Sequence, residues 1–124
     1  MTKQTPILSQ PGIMPVFVAR QAIYSAKLDI WGYELLFRSG RGPCPAIVSH
    51  DEATAQVIAD GFAIARGTMH RGSRILINFA RELLLKDVAL ALPPEMCVIE
   101  VLESVTPDKE VITCLKRLKD KGYT

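Results

Sequence analysis

The sequence predicts an α/β chain in which the later strands run parallel. Apolar runs of strand length alternate with amphipathic helical stretches from about residue 50 onward. Gly and Pro clusters punctuate the joints between them. Between their polar ends at Arg74 and Glu103, the runs at 74–80 and 96–103 are apolar on both faces apart from Asn78 and Glu100, as expected of a parallel sheet covered on both sides. A chain of 124 residues, 48% apolar and 23% charged, suits one domain with a real core and has a globular rather than a disordered composition.

Residues 1–15, with Pro6, Pro11, Gly12 and Pro15, read as an irregular lead-in to a domain spanning 16–124. Val16–Tyr24 is rich in β-branched and aromatic residues and reads as a first strand. Residues 25–29 are short enough for a hairpin turn into a second strand at 31–38, so these two strands are expected to be antiparallel. Gly40, Gly42, Pro43 and Pro45 mark a loop. Ser49 and Glu52 have capping-box spacing for a helix at about 51–66, whose Val57, Ile58, Phe62 and Ala65 form one apolar stripe.

A basic turn leads to the third strand at 74–80, followed by a short helix over 81–90 that Pro93 and Pro94 stop. The fourth strand is 96–103. Thr106-Pro107 reads as the start of a last helix, with Asp108 and Glu110 in its first turn. Val111, Leu115 and Leu118 form its stripe, and Gly122 ends it. Tyr123 and Thr124 would begin a fifth strand. An eight-stranded βα barrel takes about 250 residues; this order of elements therefore reads as the N-terminal half of a (β/α)8 TIM-type barrel, and the chain as a fragment.

A net charge of +2 is too small to argue for a nucleic acid polymer or an anionic membrane. Cys44, Cys97 and Cys114 are odd in number and far apart, which suits reduced thiols in the cytoplasm better than disulfides or zinc. Neither a signal peptide nor a membrane span is legible. His50 and His70 are isolated and read as solvent-exposed, while Ser49, Ser73 and Ser104 read as caps and turns.

The chemical clue is the polar residue isolated in each apolar strand. In Trp31–Ser39, Tyr33, Leu35 and Phe37 alternate with Glu34, Leu36 and Arg38. Burying either charge alone costs several kcal/mol. That face therefore needs a Glu34–Arg38 pair, a wet edge, a polar cluster, a ligand or a metal. Asn78 and Glu100 occupy similar places in the third and fourth strands. In a barrel all three reach the C-terminal mouth, and two carboxylates with an amide oxygen suit Mg²⁺, Mn²⁺ or Ca²⁺ rather than zinc.

Gly32-Tyr33-Glu34-Leu35-Leu36-Phe37-Arg38 resembles the signature of the EAL domains, bacterial enzymes that hydrolyse cyclic di-GMP. Arg20-Gln21-Ala22-Ile23, Ile77-Asn78-Phe79-Ala80 and Ile99-Glu100-Val101-Leu102-Glu103 resemble three further motifs of that family, in the family's order. The resemblance implies metal ligation by Glu34, Asn78 and Glu100, with Mg²⁺ or Mn²⁺ in a longer parent, and nucleotide contacts from Gln21, Leu36 and Arg38. Phe17–Gln21, Tyr33–Ser39 and Leu92-Pro93-Pro94 resemble more closely the divergent EAL-like domains that precede an HDOD domain in signal-transduction proteins. Ala22, Leu35, Ala80 and Leu102 depart from the EAL pattern, and the paired Asp residues of the family's metal site would follow Thr124. The expectation is a cytoplasmic signalling module without catalysis and without a tightly bound metal. Its expected partners are cyclic di-GMP, other signalling proteins, the remainder of the domain, an HDOD domain and a second copy of itself. The other reading is a portion of an active metal-dependent phosphodiesterase.

Overall fold

The computed structural model describes residues 4–7, 16–39, 42–43, 52–70 and 72–124. The elements are strands β1 (Gln4–Ile7), β2 (Val16–Tyr24), β3 (Ile30–Ser39) and β4 (Gly42–Pro43), helix α1 (Glu52–Thr68), strand β5 (Arg74–Phe79), helix α2 (Arg81–Leu85), a 3₁₀ turn at Val88–Ala91, strand β6 (Cys97–Val101) and helix α3 (Lys109–Asp120). Among the described residues the strands form one sheet in the order β1-β2-β3-β5-β6, with β4 paired to β3. The chain is therefore α/β with a mixed sheet. β1, β2 and β3 are successively antiparallel, whereas β3, β5 and β6 are parallel.

The antiparallel pairing of the strands at 16–24 and 30–39 follows the sequence expectation, because the turn between them is too short for a crossover. The reading of 1–15 as wholly irregular needs correction. Gln4–Ile7 is a strand paired to β2, and its Pro6 is tolerated at the edge of the sheet. The capping box at Ser49 lies outside the described residues.

Alternation within the strands sets the two faces of the sheet. Leu35, Phe37, Ile75, Ile77, Phe79 and Cys97 are buried and share one core with Ile58, Phe62 and Ala65 of α1, Leu83 and Leu84 of α2, and Val111, Cys114 and Leu118 of α3. The alternate residues Leu36, Leu76 and Val98 are only half-buried. Helices thus cover one face of the sheet, and the expected covering of both faces is not met by the described residues.

The helix expected at 81–90 is broken. α2 ends at Leu85, and Asp87 takes a left-handed conformation (φ 57°) before the 3₁₀ turn begins. Arg117 of α3 pairs with the Asp87 carboxylate, which ties this break to the next helix. The last helix starts later than Thr106-Pro107 suggests. Asp108 is its N-cap, its carboxylate accepting the Val111 N–H at 3.0 Å. Gly122 closes the helix at φ 94°. The Thr124 carbonyl then accepts the Ile99 N–H at 2.8 Å, alongside β6.

Candidate functional site

On β3 the inward residues Tyr33, Leu35 and Phe37 are buried, so Glu34 and Leu36 stand on the face that the helices leave free. The same parity applies to Leu76 and Asn78 of β5, since Ile75, Ile77 and Phe79 are buried. Register then decides the neighbours. Gln21 of β2 lies opposite Glu34, and Asn78 lies beside Glu100 of β6. The gap between these two pairs is closed by the Asn78 Nδ2–H, which donates to Glu34 Oε1 at 2.9 Å. A polar band of Gln21, Glu34, Asn78 and Glu100 therefore crosses four adjacent strands. Asn78 and Glu100 sit one residue before the C-terminal ends of their parallel strands, the end at which open α/β sheets bind ligands.

The electrostatics of the band are those of two carboxylates separated by an amide. Desolvation, and then the charge of Glu34, raise the Glu100 carboxyl above its usual range. The Asn78 amide offsets part of the negative charge on Glu34. A cation among these oxygens would favour both ionised carboxylates, and a half-turn of the Asn78 amide would add its Oδ1. The donor set fits a hard divalent ion such as Mg²⁺ or Mn²⁺. Among the described residues no three His, Cys, Asp or Glu side chains converge, so these residues offer two carboxylates and one amide rather than a full cage.

Leu36 is half-buried on the same face, next to Ala19 of β2. The backbone of Arg38 pairs with Phe17 and Pro43, while its side chain lies outside the described residues. Arg20, adjacent to Gln21, belongs to the helix side. Its guanidinium lies 5.0 Å from the centre of the Tyr33 ring and donates to the Thr68 carbonyl at 2.9 Å. Cys97 and Cys114 are buried, and the Cys114 thiol donates to the Leu84 carbonyl at 3.1 Å. His70 and Ser104 are exposed and Ser73 is buried, whereas His50, Ser49 and Cys44 lie outside the described residues.

One residue escaped sequence reasoning. A Cβ on Gly32 would meet the Arg74 carbonyl oxygen at 2.7 Å, so this glycine lets β3 approach the start of β5 and fixes the register that joins Glu34 to Asn78. Its position two residues before Glu34 was the available signal.

CdgJ, a cyclic di-GMP phosphodiesterase of Vibrio cholerae, is 38% identical over 110 residues, which are 86% of this chain and 25% of CdgJ. YuxH of Bacillus subtilis is 32% identical over 111 residues, 89% of this chain and 27% of YuxH. This chain thus spans about a quarter of the length of these relatives. Among solved structures, the manganese/cyclic di-GMP complex of Klebsiella pneumoniae BlrP1 at pH 6 superposes with a TM-score of 0.65 at 25% identity, covering 99% of this chain and 37% of that one. No protein-family model matches the chain. The expected assignment to the EAL family, and the closer placement beside HDOD-linked domains, are therefore corrected to a similarity to cyclic di-GMP proteins that covers 25% of CdgJ and 37% of the BlrP1 chain.

Proposed function

We propose that this chain is a bacterial cyclic di-GMP signalling module that acts by binding rather than by hydrolysis. The observation that carries this reading is the band of Gln21, Glu34, Asn78 and Glu100 on the sheet face opposite the helices. Similarity to CdgJ and to the BlrP1 complex supports the choice of nucleotide. In this reading Glu34, Asn78 and Glu100 hold Mg²⁺ or Mn²⁺, loosely, and Gln21, Leu36 and Arg38 flank the nucleotide. Residues 16–124 form one side of a (β/α)8-type barrel that works in the cytoplasm, preceded by a lead-in over 1–15. Its partners are further segments of the barrel, other signalling proteins and a second copy of the chain.

Binding is favoured over hydrolysis by the donor count. Phosphodiester hydrolysis by metal ions needs a metal-activated water and a stabilised phosphoryl oxygen. Two carboxylates and an amide are about half of the six oxygens around Mg²⁺. The similarity to a phosphodiesterase favours a second reading, in which the chain is one portion of an active enzyme.

Calorimetric titration of the chain with cyclic di-GMP, with and without Mn²⁺, tests the proposal, alongside chromatography of the nucleotide. The expected result is metal-enhanced binding, lost in Glu34→Ala, without turnover. Absence of binding sinks the proposal. Metal-dependent turnover abolished by Glu34→Ala establishes the second reading instead.

A further inference from the structure

Among the described residues the large apolar side chains left exposed are Tyr24, Leu28, Ile30, Trp31, Leu90, Val101 and Ile112. Four of these lie within one hairpin. Leu28 is 80% exposed, Tyr24 59%, Ile30 40% and Trp31 37%. The hairpin projects beyond its neighbour, because β5 first pairs with β3 at Gly32, so residues 24–31 lie past the start of β5. Its turn is closed by the Ser25 N–H to the Asp29 carbonyl at 2.8 Å and the Leu28 N–H to the Ser25 carbonyl at 2.9 Å. Leu28, at φ 66°, sits at the tip.

The composition of this tip is specific. Tyr24 and Ile30 face one another across the strands, and the register shift there leaves Trp31 beneath the Arg74 guanidinium, 5.0 Å from its ring centre. Lys27 in the turn and Arg74 beside it are exposed cations; Asp29 is the carboxylate within the hairpin, and Glu95, also exposed, precedes β6. A convex apolar tip touches little of a flat or rigid protein surface. A bilayer deforms around such a tip, seats Trp and Tyr rings at headgroup depth and attracts nearby cations when its lipids are anionic. We propose that the 24–31 hairpin docks the chain on an anionic lipid surface, Leu28 and Ile30 entering the interface and Lys27 and Arg74 meeting the headgroups. The chain's small net charge makes this contact weak and salt-sensitive, and local clustering rather than overall charge produces it.

Trp31 is the only tryptophan in the chain and reports the contact directly. The chain is mixed at low salt with vesicles of phosphatidylcholine alone, or of phosphatidylcholine and phosphatidylglycerol in equal parts. With the anionic vesicles, the expected result is a Trp31 emission shift to shorter wavelength together with co-sedimentation. Leu28→Ser, which removes one large apolar side chain at an exposed position, weakens that partitioning about tenfold. Lys27→Glu weakens it by a similar factor. Equal binding to both kinds of vesicle, no binding to either, or unaltered binding by both variants overturns the proposal. An emission shift that grows with protein concentration in the absence of lipid also overturns it, and assigns the hairpin to a second copy.

Discussion

A missing side chain at residue 32 controls where the site residues meet. The Cβ of an alanine there would press on backbone, the Arg74 carbonyl at 2.7 Å, and backbone cannot swing aside as a side-chain tip can. Gly32→Ala is expected to cost about 1–3 kcal/mol, read as a lowered urea midpoint, with the Glu34–Asn78 contact loosened as the strands part. A second expectation at this scale concerns Cys97. Burial pushes its thiol up to about 12, so the folded chain holds it neutral. The folded value lies above the unfolded one, so this contribution to stability is whole below the ordinary thiol range near 8.5 and is lost as pH rises toward 12. At pH 8 Cys97 should resist iodoacetamide in the native chain and react in urea. Mass spectrometry of its peptide distinguishes it from Cys44 and Cys114, and rapid native labelling of Cys97 would contradict its burial.

Elements were legible in the sequence where burial leaves a period, and illegible where tertiary partners decide. Val16–Tyr24 and the α1 stripe of Ile58, Phe62 and Ala65 show their faces in composition and spacing alone. Gln4–Ile7 has no such pattern, since its strand exists only through pairing with β2. The split between α2 and the 3₁₀ turn depends on Asp87 meeting Arg117, a partner 30 residues away. The polar candidates stood out as lone hydrophilic residues in apolar strands. That Asn78 serves Glu34, although the register sets it beside Glu100, required the side-chain geometry. At α3 the decisive residue is Asp108. The Val111 N–H foremost, and then Arg81, hold its carboxyl below the usual range. A depressed folded value gives stability that is present above the ordinary carboxylate range near 4 and is lost as pH falls through the folded value. Asp108→Asn keeps an acceptor for the cap but removes the charge. Its urea midpoint should fall less than that of the original chain between pH 7 and pH 3, whereas Asp108→Ala should be less stable at neutral pH. Equal acid sensitivity in Asp108→Asn would place the acid-labile group elsewhere.

At the scale of the whole molecule, what stands out is a sheet with apolar residues on both faces and, among the described residues, helices on one. Leu36, Leu76 and Val98 are half-buried around the polar band, on the side away from the shared core. Burying such a surface contributes about 25 cal/mol per Å² before the cost of association is subtracted. A two-fold contact that sets one open face against another is the simplest closed arrangement. It is opposed by charge, because the contact brings Glu34 and Glu100 of one copy toward those of the next, and Glu100 already feels Glu34 within its own chain. The apolar and electrostatic contributions therefore have different signs and can be separated. Sedimentation velocity at micromolar concentrations should show a monomer–dimer equilibrium that Leu76→Asp moves toward monomer. Mn²⁺ should move it toward dimer, since a divalent ion shared by the carboxylates removes the repulsion while leaving the apolar contact intact. Glu34→Gln should strengthen the dimer in the absence of metal and make it insensitive to Mn²⁺. A concentration-independent monomer unaffected by either substitution would mean that the open face is stable in water as it stands. A dimer that ignores Mn²⁺ and survives Leu76→Asp would place the contact on another surface.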